Sequence, residues 1–96
     1  MALQIIASGN SLVTGIASVG TTIPLASNGF VPRYVRFATS QSTYIKMGTG
    51  AQTATANDMM VSPGGATTIA TLGNTHYAVL QVATAGVAQA SPVEDI

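Results

Sequence analysis

Few side chains in this chain could do acid–base chemistry. The 96 residues include a single histidine, His76, and a single carboxylate before the acidic pair near the end, Asp58. A Ser-His-Asp arrangement would need both of them to meet a serine, and no spacing supports such a meeting. The segment around Ser11 lacks the last glycine of a nucleophile elbow, and no helix is predicted after it. We therefore expect a protein that is not an enzyme.

The chain also has few residues that could bind a metal ion or a nucleic acid. Without cysteine and with one histidine, the chain cannot offer the roughly four ligands that zinc takes, and calcium needs a denser cluster of oxygens than Asp58 provides. Affinity for phosphate grows with the number of charges neutralised, yet three cations are balanced here by three anions. We expect no metal, no cofactor and no nucleic-acid partner.

The scarcity of charge is the most informative property of the composition. Charged residues make up 6% of the chain and sum to zero, against roughly 25% in an ordinary soluble domain. Small neutral residues replace them, and these enter an interface without the cost of burying an unpaired charge. A neutral surface also does little to keep copies apart. The composition predicts a protein that assembles with other protein; a sparsely charged monomer is the alternative.

The elements that would position these residues are short strands. Apolar or Thr-rich runs of about five to seven residues recur along the chain, each closed by Gly, Asn, Ser or Pro. About eight such runs predict a single all-β domain, an antiparallel β-sandwich or jelly-roll-like barrel, over residues 1–90. A helix over residues 52–60 is the weaker alternative, because no apolar face develops there. Pro92 is expected to end the last strand, leaving residues 91–96 as an extended tail.

One pair of strands has the clearest alternation. Residues 33–38 place Val35 and Phe37 on one face, and residues 43–47 place Ile45 and Met47 on one face after a polar turn. We predict that the two runs form a β-hairpin with these four residues inward. Tyr34, Arg36, Tyr44 and Lys46 then point outward, while Arg33 has the parity of Val35 and Phe37. The hairpin therefore collects most of the basic and aromatic groups of the chain in one patch: Arg33, Tyr34, Arg36, Tyr44 and Lys46.

The patch predicts a protein interface, because Arg and Tyr are favoured anchors there, with ordinary outward-facing strand residues as the alternative. The tail residues Glu94, Asp95 and Ile96 are predicted to dock on a neighbour in the same assembly. The N-terminal residues lack the basic segment and apolar core of a signal peptide, and no apolar run is long enough to cross a bilayer. We therefore expect no membrane partner and a location in the cytoplasm before assembly.

Several short motifs add a family resemblance. They cover most of the chain from residue 32 onward, and they are Tyr34-Val35-Arg36-Phe37-Ala38, Tyr44-Ile45-Lys46-Met47-Gly48, Ala54-Thr55-Ala56-Asn57-Asp58, Met59-Met60-Val61, Pro63-Gly64-Gly65 and the strand near His76-Tyr77-Ala78-Val79-Leu80-Gln81-Val82, with a Gly86-Val87 turn after it. In these motifs the chain resembles small virion structural proteins of tailed bacteriophages. The resemblance implies a non-enzymatic structural role and transfers no catalytic residues.

Within that resemblance we expect a capsid decoration or cement protein. Such a protein binds the major capsid protein in many copies, and it stabilises the head through the avidity of several modest contacts. A homo-oligomer on the capsid surface of the virion is expected. Two alternatives remain, a neck or tail ring component and a carbohydrate- or receptor-binding fibre module that would stack ligands on Tyr34, Tyr44 and Tyr77.

Overall fold

The computed structural model describes residues 3–5 and 7–95. Within them the chain forms strands joined by turns and loops, and no helix occurs in this part of the chain. The strands in chain order are β1 (Leu3–Gln4), β2 (Asn10–Val13), β3 (Val19–Thr22), β4 (Tyr34–Thr39), β5 (Thr43–Gly48), β6 (Met59–Val61), β7 (Ala66–Ala70), β8 (His76–Gln81) and β9 (Val87–Asp95). The all-β prediction is confirmed.

The strands form two antiparallel sheets whose pairing is nested. β2 pairs with β9, β3 with β8, β4 with β7 and β5 with β6, so that the first strands meet the last and the middle ones meet each other. Two further pairings, β4 with β9 and β5 with β8, join these pairs side by side. The result is a five-stranded sheet in the order β1-β9-β4-β7, with β2 beside β1 on β9, and a four-stranded sheet in the order β3-β8-β5-β6. This is the connectivity of a jelly roll.

The predicted β4–β5 hairpin is wrong. β4 pairs with β7 and β9 in the five-stranded sheet, whereas β5 pairs with β6 and β8 in the four-stranded sheet. The short connection after Thr39 therefore crosses from one sheet to the other. A strand with one buried face shows the same alternation whether the next strand lies beside it or opposite it, because both arrangements bury alternate residues. The pattern specified the faces of the two strands and left their pairing open.

The inward residues were predicted correctly. Val35 and Phe37 are fully buried, Ile45 is 2% exposed, and Met47 packs against the core that they form. The four-stranded sheet contributes Tyr77 and Val79, which are also fully buried. The rings of Phe37 and Tyr77 face each other across the two sheets with their centroids 5.3 Å apart, a favourable tilted geometry.

The expected C-terminal tail is instead part of the sheet, so the prediction that Pro92 ends a strand is wrong. β9 continues to Asp95, with Pro92 in register with Val35 of β4. Successive residues of an antiparallel strand direct their hydrogen-bonding groups to opposite neighbours. The bonds from Ser40 to Val87 and from Thr14 to Gly86 show that odd-numbered residues of β9 bond to β4 and even-numbered ones face away from it. Pro92 therefore faces the interval between β1 and β2, where the ladder is interrupted and no amide is needed.

A polar link holds the two sheets together near β2 and β3. Asn10 of β2 donates from its side-chain amide to the carbonyl of Thr22 at 2.9 Å, and its side-chain oxygen accepts from the Tyr77 hydroxyl. Burial of this hydroxyl raises the pKa of Tyr77 to about 12, because the charged phenolate would lose its hydration. The link thus joins the five-stranded sheet to two strands of the other sheet.

Candidate interaction surfaces

The predicted basic and aromatic patch is divided between opposite sides of the molecule. Tyr34 and Arg36 point outward from β4, and Arg33 lies just before that strand. Tyr44 and Lys46 point outward from β5, which belongs to the other sheet. Because the inner faces of the two sheets pack on each other, the outer faces look in opposite directions. A single partner surface cannot cover all five residues of the patch.

We call the outer side of the five-stranded sheet the open face. Its positions alternate with the core residues, and the pairing registers give its members: Ser11, Val13, Tyr34, Arg36, Ala38, Ala66, Thr68, Ala70, Val87, Gln89, Ser91 and Val93. All but Arg36 and Tyr34 are small or medium-sized and neutral. Ser91 and Val93 are buried, with 8% and 4% exposure, so the accessible part of the open face lies around the other positions. That part is an almost uncharged surface with a single cation, Arg36.

Arg36 lies on β4, which has β9 on one side and β7 on the other. It is in register with Thr68 on one side and with Ser91 on the other, and its side chain is half-buried. Within the described residues no hydrogen bond or ion pair holds its guanidinium. An unpaired, partly desolvated guanidinium suits a planar anionic group of a partner, because its donors form a rigid fork.

The outer side of the four-stranded sheet, which we call the covered face, is crossed by residues 49–57. This loop begins after β5, and its Gln52 lies so close to Gly48 that a side chain at that glycine would overlap it. Further on, the Ala54 amide donates to Ser18 Oγ at 2.9 Å, beside the start of β3. β8 lies between β5 and β3, so the loop passes over it. Ala78 of β8 is accordingly fully buried although it points outward.

The loop leaves Tyr44 and Lys46 at the margin of the covered face. Tyr44 is half-buried, Lys46 is exposed, and Met60 of β6 is in register with Tyr44. Tyr44, Lys46 and Met60 share the covered face, whereas Tyr34 and Arg36 lie on the open face of the other sheet. The sequence had indicated that each residue points outward, and that part of the prediction is confirmed.

The structure describes two of the three tail residues that were predicted to dock on a neighbour. Glu94 accepts hydrogen bonds from the Ser27 amide and hydroxyl, at 3.1 and 2.7 Å, and so fixes the turn that follows β3. Asp95 is in backbone register with Leu3 at the end of β9. Ile96 lies outside the described residues. Glu94 therefore has an internal partner.

A third surface lies at the end of the sandwich where β4 begins, and sequence reasoning missed it. Two adjoining hollows of about 380 and 300 Å³ share Val31, Pro32 and Arg33 in their walls. Leu72 borders the second hollow, is 88% exposed and has a φ of 50°, a left-handed conformation that costs a leucine roughly 1 kcal/mol. Phe30, which precedes Val31, is 72% exposed. In the sequence, the only indication of this surface was the apolar Leu72 directly before Gly73, at a position expected to form a turn.

The histidine and the carboxylate considered for catalysis each have a local hydrogen-bond partner. His76 Nδ1 is 2.7 Å from the hydroxyl of Thr75. Asp58 accepts from the Thr55 amide at 2.6 Å and so closes the turn before β6. In the described ranges, no group of three or more metal-binding side chains occurs. The same residues contain no helix that could span a membrane.

Comparison of the chain with protein-family models, with curated proteins and with solved structures found no match.

Proposed function

We propose that this chain is a non-enzymatic structural protein of a tailed-phage virion, and specifically a capsid decoration or cement protein. Two lines of argument support the proposal. The sequence motifs from residue 32 onward resemble small phage virion proteins. Among the twelve strand positions that define the open face, Arg36 is the only charged residue. The open face is the single observation that carries the structural role, because such a surface can be buried against protein with little desolvation cost.

In this proposal the open face lies on the capsid shell. Small Ala, Ser, Thr and Val side chains allow close approach, and Arg36 pairs with a carboxylate of the major capsid protein. A buried charge pair fixes the orientation of the partners, and removing one of its members is costly because the other charge stays buried and unpaired. Many copies, each held by a modest contact, would reinforce the shell without any chemistry.

The carbohydrate-binding alternative has weaker support. Its three tyrosines do not form a common platform, because Tyr77 is fully buried in the core and Tyr44 lies on the covered face, away from Tyr34. Stacking of sugars needs exposed rings on one surface. A neck or tail ring component would use the same chemistry as decoration and would differ in copy number.

The proposal is tested by adding the purified protein to particles from the source of the chain and measuring occupancy after sedimentation. Arg36→Ala should reduce the affinity for particles at least tenfold, because removing one partner of a buried charge pair costs about 2 kcal/mol or more. The affinity of Arg36→Lys should fall between those of the wild type and Arg36→Ala, because lysine keeps the charge but lacks the planar fork of donors. Lys46→Ala removes the same charge from the opposite face and serves as the matched control.

The copy number per particle separates decoration, with hundreds of copies, from a neck ring with few. If wild-type protein does not sediment with particles, the virion proposal is wrong. If Lys46→Ala reduces occupancy while Arg36→Ala does not, the covered face and not the open face is the interface.

A further inference from the structure

The edge strand β7 has a free row of backbone hydrogen-bonding groups. It pairs with β4 on one side, and no described strand lies on its other side. The Thr71 amide donates to the Arg33 carbonyl at 2.9 Å, in register with the β4–β7 ladder. Since groups alternate along an antiparallel strand, odd-numbered residues of β7 bond to β4. Ala66, Thr68 and Ala70 therefore direct their amides and carbonyls away from the sheet.

The other edges of the sandwich present shorter or interrupted rows. The same alternation leaves Met60 alone to face outward on β6, and Ser11 and Val13 on β2. On β3 it leaves Gly20 and Thr22, and the Thr22 carbonyl already accepts from Asn10. Proteins usually protect long edges with charges, prolines or bulges. β7, with the sequence Ala-Thr-Thr-Ile-Ala, has none of these.

The side chains of β7 are also complementary to a second copy of themselves. A two-fold axis through Thr68 would bring two antiparallel copies together with Thr68 opposite Thr68, and Ala66 opposite Ala70. All three outward-facing residues then exchange hydrogen bonds with the other copy, about six bonds in all. Thr67 meets Ile69 on the inner side, where both are half-buried. Opposed threonines and small alanines make a favourable, uncharged cross-strand contact.

We propose that β7 is a dimerisation edge and that its partner is β7 of a second copy of this chain. The two five-stranded sheets then become one continuous sheet with the two open faces side by side. The register centred on Thr68 is selected because neighbouring registers leave outward-facing groups unpaired. This association is independent of the proposed capsid partner, since it uses an edge and leaves the open faces free.

The association state is measured by sedimentation velocity across a concentration series, with the whole chain. Wild-type protein should show a monomer–dimer equilibrium. Thr68→Pro removes the central amide from the free edge and leaves the bonds to β4 intact, because that amide points outward. It should raise the dimer Kd at least tenfold. Thr68→Lys, which opposes two like charges at the axis, should do the same and provides a second test if the proline variant does not fold.

Cross-linking tests the register. The chain has no cysteine, so Thr68→Cys introduces a single thiol. Opposed residues of a hydrogen-bonded antiparallel pair have Cα atoms about 5.5 Å apart, which is within the span of a disulfide. Mild oxidation should therefore give a covalent dimer. Thr22→Cys, an exposed threonine on the edge strand β3, is the matched control and should remain monomeric.

Each other outcome overturns the proposal. A monomer at all concentrations of the series means that β7 does not self-associate. A dimer that Thr68→Pro and Thr68→Lys leave unchanged lies on another surface, and a trimer or larger ring is incompatible with a two-fold edge. Because particle binding is measured separately, protein that dimerises without binding particles contradicts only the virion proposal, and protein that binds without dimerising contradicts only this one.

Discussion

The open face and the covered face differ although both belong to sheets of the same jelly roll. On the covered face, residues 49–57 cross the sheet and bury Ala78 completely, so that the chain itself supplies the covering layer. On the open face, Ser91 and Val93 at one end are buried, whereas Ala38, Thr68 and Gln89 remain at least partly accessible. An outward-pointing small residue is therefore available to a partner only where no other segment of the chain already covers it.

The strongest way to disturb the open face is from its edge at Gly9. A side-chain carbon there would lie 1.9 Å from the Ala90 carbonyl oxygen, so the segment between β1 and β2 could no longer lie against β9. We expect Gly9→Ala to lower the free energy of unfolding by about 3 kcal/mol or more, as backbone overpacking does. Urea denaturation measures this change. Gly15→Ala is the control, because no atom lies within 4 Å of the added carbon, and an equal loss in both variants would contradict the explanation.

The link between the two sheets should weaken in alkali. The folded-state pKa of Tyr77 is about 12, against about 10 in the unfolded chain. The unfolded state therefore releases its proton first, and stability that is fully present below pH 10 is lost as the pH rises toward 12. The loss should approach about 3 kcal/mol, at roughly 1.4 kcal/mol per pH unit. Denaturant unfolding between pH 9 and 12 measures it.

Tyr77→Phe isolates this effect from the titration of other groups. The variant should be less stable at neutral pH, because Asn10 loses a hydrogen-bond partner, but it should lose less stability between pH 10 and 12 than the wild type. If both proteins lose stability in parallel over that interval, the buried hydroxyl is not the source of the alkaline sensitivity.

A matched pair of substitutions compares the two faces directly. Ala78→Leu adds volume beneath the crossing loop at a fully buried position, where even a side-chain carbon at the neighbouring Gly20 would lie 3.3 Å from Ala78 Cβ. The substitution should cost about 2 kcal/mol. Ala38→Leu adds the same volume on the open face, where it should change stability by less than about 0.5 kcal/mol. Thermal or urea unfolding of both variants provides the measurement. Similar costs at the two positions would remove the distinction between the faces.

The sequence predicted more of the strands than of their arrangement. Alternation placed Val35, Phe37 and Ile45 in the core, and turn residues located the boundary at Gly64, whose φ of 82° only glycine adopts readily. The same alternation could not distinguish a hairpin from a crossing between sheets, so the predicted interface patch was assembled from residues that lie on opposite sides. Outward direction is a local property of a strand, whereas proximity of two strands depends on the whole topology.

Pro92 and Ala78 show the same division. A proline predicts the end of a strand only if its missing amide would have bonded, and that depends on an interruption between β1 and β2, far away in sequence. Ala78 is buried by a loop that arrives from β5. Neither the gap between β1 and β2 nor the loop after β5 can be inferred from the residues that flank Pro92 or Ala78 in the sequence.

The all-β class, the buried face of each long strand and the scarcity of charge follow from periodicity and composition, because these are properties of a local segment or of the chain as a whole. The folded chain is needed to show which strands are neighbours, which outer face stays accessible, and which backbone edge has no partner among the described strands. These depend on contacts between distant segments, with the first strands against the last, and no local pattern specifies them.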